Sequence, residues 1–189
     1  MVDDPVRELV GPRVLLRVPC PADIDVRLRL GIHPEIQWGY GLVIDEWRPL
    51  TRDEAERWYA RLGVSPDAVS WVVEVGGALV GEAHLHTWVR AERRAMFAVG
   101  LLHPRHLGRG LGSEIVRLVL DHAFGTLDLH RVALRVLARN SRAIASYERA
   151  GFRIEGRERE TAHVDGSWED DLIMGILRHE HEAIRARAQ

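Results

Sequence analysis

Arg105-His106-Leu107-Gly108-Arg109-Gly110-Leu111-Gly112-Ser113 sets a glycine at every second position from 108 to 112, between the apolar run Ala95 to Leu102 and a run of helical period, Leu111 to Phe124. Glycine permits positive φ and close backbone approach, and a following helix offers unpaired N–H groups and the positive end of its dipole. Such a strand–turn–helix suits an anion the size of pyrophosphate, although the same glycines would also serve a tight connection. Spacing removes two familiar phosphate loops. Ser113 stands where G-x-G-x-x-G requires its third glycine, and the run lacks the P-loop lysine.

Working outward, Ile115, Leu118, Val119 and His122 share one face of the helix after the turn, and Val132 to Leu137 reads as a strand that it leads into in parallel register. Upstream, Ser70 to Val75, Ala78 to Val89 and Ala95 to Leu102 form an antiparallel meander through Gly76-Gly77 and the polar turn Arg90 to Arg94. Downstream, Asn140 caps a short helix to Ala150, Gly151 ends it, and Phe152 to Arg159 and Trp168 to Leu177 are the last strands. Near the start, Val14 to Val18 is a strand and Ala22 to Leu30 a helix, followed by a long loop from Gly31 to Leu50 with room for a short helical turn. Thr51 and Glu54 resemble a capping box for a helix through Leu62. The pattern is α/β, and with no repeat, low-complexity tract or linker, residues 1–189 read as a single domain.

A formal net charge of −2 lacks the positive footprint of bulk nucleic-acid binding, so no nucleic-acid partner is expected. The single cysteine, Cys20, cannot pair within the chain, which fits a reducing compartment. MVDDPVRELV carries acids where a secretory signal starts basic, and no later run is apolar for long enough to span a bilayer, so the expectation is a cytoplasmic protein without a membrane partner.

The run from Arg105 through Gly108 to Gly110 also fits R-x-x-G-x-G, and Asn140-Ser141-Arg142-Ala143-Ile144-Ala145-Ser146-Tyr147-Glu148-Arg149-Ala150-Gly151-Phe152 follows it. Together these segments resemble the GNAT acetyltransferases. Leu129-His130-Arg131-Val132, Gly156-Arg157 and His33-Pro34-Glu35-Ile36 are similar to the branch that acetylates ribosomal-protein amino termini. The resemblance covers nearly the whole chain. It implies a mixed, strongly twisted sheet flanked by helices with splayed central strands, and direct transfer of acetyl from acetyl-coenzyme A to a primary amine. It further implies that Arg105, His106, Leu107, Gly108, Arg109, Gly110, Leu111, Gly112 and Ser113 contact the cofactor, with Leu107 to Gly112 binding its pyrophosphate through backbone amides, and that Val99, Gly100, Leu101 and Leu102 hold the pantetheine arm. Asn140, Ser146 and Tyr147 complete the expected cofactor contacts. Homodimers are common among similar proteins, and the last strands offer an edge for one.

The resemblance makes Tyr147 the candidate general acid for the departing thiolate, and a phenol is chemically suited to that role; the plain alternative is packing of its helix onto the sheet. Asn140 likewise serves either pantetheine or its own helix. The base is less defined. Similar proteins often carry Glu in the strand before the glycine turn, where Met96 stands here. Glu82, His84 and His86 alternate on the preceding strand and share one face; Glu82 and His84 are the candidate bases, against the reading of that face as merely polar. Two histidines without further ligands predict no metal.

On the acceptor side, Trp38, Tyr40, Asp45 and Glu46 in the early loop would line a cleft for a cationic amine. Asp165, Glu169, Asp170 and Asp171 mark an acidic final hairpin, and His179 to Glu182 read as an exposed helical end. A weak base suits an α-amine, with a reference pKa near about 8, better than lysine near about 10.4. That tilts the expectation slightly toward a protein amino terminus over a polyamine- or aminoglycoside-like acceptor. A catalytically inactive acyl-coenzyme A sensor is the alternative from another class.

Overall fold

The computed structural model describes residues 7–63 and 65–187. The acidic start at residues 1–6, read above for targeting, lies outside them, as do Val64 and the last two residues. The strands are β1 (Leu9–Val10), β2 (Leu15–Arg17), β3 (Val69–Val75), β4 (Ala78–Val89), β5 (Arg94–Leu101), β6 (Arg131–Leu137), β7 (Arg153–Val164) and β8 (Ser167–Leu177). They form one eight-stranded sheet in the order β1-β2-β3-β4-β5-β6-β8-β7. All neighbours are antiparallel except β5 and β6, so the sheet is mixed as expected. The helices are α1 (Ala22–Leu30), α2 (Pro34–Gln37), α3 (Arg52–Arg61), α4 (Leu111–Gly125), α5 (Ser141–Arg149) and α6 (Arg178–Arg187). Among the described residues no helix is long and apolar enough to cross a membrane.

Helix α4 buries Leu111, Ile115, Val116, Val119, Leu120, Ala123 and Phe124, the stripe that a period of 3.6 predicts. That stripe packs on the sheet face carrying Trp71, Val73, Ala83, Leu85, Phe97, Val132 and Leu134, which is the main core. The opposite face holds a smaller core of Trp58, Leu62, Val72, Leu79 and Leu102 beneath α1 and α3. The capping box at Thr51 and Glu54 is present, and it sets the start of α3 so that Ala55 and Trp58 turn inward.

Three local expectations are corrected. The first strand is shorter than Val14 to Val18, and it is preceded by β1, too brief to carry a period-2 signal. The hairpin strand after Gly151 runs on to Val164, polar along its length because it is the edge of the sheet. His181 in α6 is buried, not exposed: its Nε2 lies 2.8 Å from Asp121 Oδ1 and its ring tilts against Phe124.

A buried carboxylate ties the glycine turn to the start of the sheet. Glu114, in the first turn of α4, accepts the backbone N–H groups of Arg13 at 2.8 Å and Val14 at 3.2 Å and the Arg13 Nε at 2.7 Å. Arg13 Nη1 in turn donates to the carbonyl of Arg109 at 2.8 Å, inside the turn. Burial alone would raise the Glu114 carboxyl, but these donors outweigh it and hold the carboxyl below its ordinary value. A lowered folded-state pKa contributes stability above the unfolded pKa, about 4.3, that disappears as pH falls through the folded value. Glu114→Ala orphans two backbone donors and should cost about 2–4 kcal/mol in urea denaturation, with Glu114→Gln milder. The stability difference between wild type and Glu114→Gln should shrink as the pH is lowered below about 4.

Candidate functional site

The parallel pairing of β5 with β6 is confined to Arg94 with Arg131, Ala95 with Val132 and Met96 with Ala133. Beyond it each strand keeps only its outer partner: β5 pairs with β4 through Leu101, and β6 pairs with β8 through Leu137. The inner edges of Phe97–Leu101 and 134–137 therefore face each other across a gap, with main-chain groups free for a ligand. This is the expected splay. It opens a cleft of about 510 Å³ lined by Phe97, Val99, Gly100, Leu101, Val136 and Leu137, among others.

At one end of the cleft lies the glycine turn. Gly108 and Gly110 have φ of 71° and 77°, the left-handed region that disfavours a side chain. A Cβ on Gly108 or on Gly112 would meet nothing within 4 Å, so the backbone here borders open space directly. Gly110 is the N-cap of α4 and no side chain caps the helix, which leaves its first N–H groups available. His106, Leu107, Gly108, Gly110, Leu111, Gly112 and Ser113 all line the cleft. This bare, donor-rich cradle fits the pyrophosphate of a coenzyme A ester.

Three expected cofactor contacts do not line the cleft. Leu102 turns into the smaller core with Trp58 and Leu79, because strand alternation sends it to the other face from Leu101. Arg105 folds back so that its Nε donates to His106 Nε2 at 2.9 Å. Arg109 contributes its carbonyl to Arg13.

Helix α5 forms one wall. Asn140 Oδ1 accepts the Ala143 N–H at 3.2 Å and its Nδ2 donates to Gly39 O at 3.5 Å, so it caps α5 and ties the early loop to it while still lining the cleft. Ser146 Oγ lies 2.8 Å from Ser113 Oγ, joining α5 to α4. The Tyr147 ring meets Phe97 and Phe152 edge-on at 6.5 and 5.8 Å, and the residue borders the cleft. Packing and access to the cleft thus coexist. Burial pushes the phenol up to about 12, which keeps its proton on at neutral pH.

On the face of β4 opposite α4, His84 and Glu82 form a chain of polar groups. His84 Nδ1 lies 3.1 Å from Ser70 Oγ, its register partner on β3, and His84 Nε2 lies 3.7 Å from Glu82 Oε1. The Trp58 indole N–H donates to the other Glu82 oxygen. Burial opposes ionisation of Glu82, but His84, Trp58 and the nearby Arg27 guanidinium together hold its carboxyl below the ordinary value. Arg27 is itself buried, donating to Gly31 O at 2.6 Å. His86 stands further along the same face, 3.0 Å from Thr87 Oγ1, and is not joined to Glu82. Sequence reading missed Ser70, Trp58 and Arg27; the meander register alone points to Ser70, whereas the two helical residues carry no local signal.

The early loop crosses the open end of the cleft. Tyr40 ends a 3₁₀ turn, Trp38–Tyr40, and lines the cleft with Gly39 and Glu35. Trp38 instead lines an adjoining groove of about 520 Å³ with Pro34, Leu42, Val43 and Ile44, and Glu35, Asn140 and Arg142 border both spaces. The Arg139 guanidinium covers the Trp38 ring at 4.7 Å. Asp45 and Glu46 lie on the exposed part of the loop and line neither space, a correction to their expected place. The acidic hairpin is largely neutralised: Arg139 pairs with Glu169, Arg157 with Asp170 and Arg135 with Asp171. Among the described residues no group of three or more His, Cys, Asp or Glu could hold a metal ion.

A family model described as an acetyltransferase (GNAT) domain matches residues 13–153. The chain is 36% identical over 104 residues to the probable N-acetyltransferase YjcK of Bacillus subtilis (strain 168), covering 55% of this chain and 58% of that one. It is 30% identical over 113 residues to the spermidine N(1)-acetyltransferase of Escherichia coli (strain K12), covering 60% of each. The match thus spans less than two thirds of the length of these curated relatives. Among solved structures, the spermidine N-acetyltransferase from Vibrio cholerae in complex with CoA and spermine superposes with a TM-score of 0.77 at 26% identity, covering 91% of this chain and 99% of that chain.

A side chain grown from the cradle should block it. Gly112→Val points a branched group into the open space and should weaken acetyl-coenzyme A binding at least about tenfold by isothermal titration, while costing no more than about 1 kcal/mol of stability. Unchanged affinity would move the anion site away from this turn.

Proposed function

The chain belongs to the GNAT acetyltransferase family, and from that premise we propose that it transfers acetyl from acetyl-coenzyme A to a primary amine of an alkyl polyamine. Residues 1–189 are read as one acetyltransferase domain. The observation that carries the reaction is the unpaired edge of β5 running from the glycine cradle toward Tyr147. When bound, acetyl-coenzyme A supplies an acetyl group activated as a thioester. The amides from Gly108 to Ser113 hold its pyrophosphate, and the free edge at Val99–Leu101 pairs with its pantetheine amides. Tyr147 keeps a proton at Oη for the departing sulfur, and Glu82, ionised at neutral pH, takes the proton that the amine gives up. His84 and Ser70 orient that carboxylate.

The polyamine reading rests on the loop that roofs the acceptor side. Glu35, which borders both the cleft and the adjoining groove, forms no ion pair among the described residues, in contrast to the paired acids of the hairpin. In the same groove Trp38, Leu42 and Val43 offer apolar surface, a combination suited to methylene segments that alternate with ammonium groups. The two spermidine acetyltransferases noted above support the same class of acceptor. A peptide amino terminus is the second reading. The groove of Pro34, Trp38, Leu42, Val43 and Ile44 favours it, since an apolar first side chain would fit there.

Release of free coenzyme A, measured with spermidine, spermine and short peptides bearing free amino termini, separates these readings. Polyamine-dependent turnover is expected, and preference for peptides with apolar first residues would shift the acceptor to the second. Tyr147→Phe should lower kcat about 10²-fold, with acetyl-coenzyme A affinity retained. The alkaline loss of activity due to Tyr147 should lie near pH 12 rather than the ordinary phenol value of about 10.

A further inference from the structure

A Cβ built on Gly100 would coincide with the Tyr40 hydroxyl. Tyr40 Oη therefore occupies the place of a side chain at that position of β5, although the residue as a whole is half exposed. Gly100 is the direct register partner of Glu82 on β4. Opposed residues in an antiparallel pair project to the same face with Cβ atoms about 4.5–5.5 Å apart. The hydroxyl, overlapping the Cβ built on Gly100, thus lies on the same face as the Glu82 side chain, close enough for one water to join it to the carboxylate. The loop holds it there: Gly41 closes the turn with φ of 76°, its N–H donates to Trp38 O at 3.2 Å, and Leu42 N–H donates to Gln37 O at 3.0 Å.

The charged and titratable groups around this hydroxyl come from four other elements. Glu82 acts on it from β4, with His84 beside Glu82 on the same strand, Arg27 from α1 and Tyr147 from α5, while Glu35 on α2 borders the same cleft. Burial raises the Tyr40 phenol, and the charge of Glu82 raises it further. A hydroxyl so held hands on protons without resting as the anion. Glu82 itself does not line the cleft, whereas Tyr40 and Tyr147 both do. The base of the preceding section is thus set back from the cleft surface that Tyr40 and Tyr147 border.

We propose that the Tyr40 hydroxyl is the proton relay between the reacting amine and Glu82, a role that rests on the acetyltransferase reading above. The amine lone pair forms the C–N bond and the C–S bond breaks. The departing sulfur takes the proton of Tyr147. The nitrogen gives its surplus proton to Tyr40 Oη as the Tyr40 proton passes to Glu82. Return of a proton from Glu82 through Tyr40 to the Tyr147 oxygen restores all three groups, so no outside acid or base is consumed. Glycine at position 100 follows from this arrangement, since any side chain there would expel the relay.

The test is the pH dependence of kcat/KM for the amine in wild type, Tyr40→Phe, Glu82→Gln and the double variant. Tyr40→Phe keeps the ring and its packing. Expected is a fall in kcat of about 10²-fold with acetyl-coenzyme A affinity within about twofold. Because the free amine is the attacking form throughout, wild type and both single variants should share a rise of unit slope toward the pKa of the amine, with both single variants displaced in parallel below wild type. The double variant should be no slower than the slower single one, since both remove one path. A Tyr40→Phe enzyme whose profile coincides with that of wild type, or losses that multiply in the double variant, overturns the relay. If Glu82→Gln and Tyr147→Phe are impaired while Tyr40→Phe is not, the relay alone fails. If none of the three is impaired while acetyl-coenzyme A still binds, the assignment of acid and base fails instead.

Discussion

Parallel pairing between β5 and β6 stops after Met96 and Ala133, and the rest of the molecule is organised around that interruption. An unpaired strand edge inside a protein is costly unless water or a ligand satisfies it. Here each strand is held on its far side by a complete antiparallel partner, β4 for one and β8 for the other, so the gap neither closes nor frays. Helix α4 packs beneath both strands and delivers the glycine turn to one end of the opening. The Arg13–Glu114 tie keeps that turn registered against the start of the sheet. Binding surface and fold are therefore set by the same packing.

The two faces of the sheet divide the chemistry. The α4 face is apolar and carries Phe97 and Tyr147 near the cleft. The α1 and α3 face admits Glu82, His84 and Arg27 only because each has partners within that layer. The proposed proton acceptor, Glu82, and proton donor, Tyr147, thus stand on opposite sides of the splayed strands, with the acyl group expected between them. Gly100, lacking a side chain, is where the early loop reaches in from the acceptor side.

Much of this order was legible in the residues. The glycine spacing, the stripe of α4 and the Thr51–Glu54 box are local signals, and each produced its element. The alternation of Glu82 and His84 with Ala83 and Leu85 correctly put both polar groups on one face. What stayed hidden depends on contacts between distant segments. Leu102 looked like part of a binding edge but belongs to a core formed with α3. Asp23 and Arg27 break the apolar pattern of α1 yet are buried, because Arg17 pairs with Asp23 and the Gly31 carbonyl accepts from Arg27. Tyr40 was legible as an acceptor-side aromatic, but its approach to Gly100 follows from a loop path that no period encodes.

The gap between β5 and β6 is the proposed seat of the acyl donor. Hydrogen–deuterium exchange of the protein with and without acetyl-coenzyme A measures this at the amides themselves. Saturating acetyl-coenzyme A should slow exchange selectively at Val99–Leu101 and across 108–113, leaving the paired edge of β4 unchanged. Binding that leaves those amides as labile as in the free protein, with protection elsewhere, would contradict it.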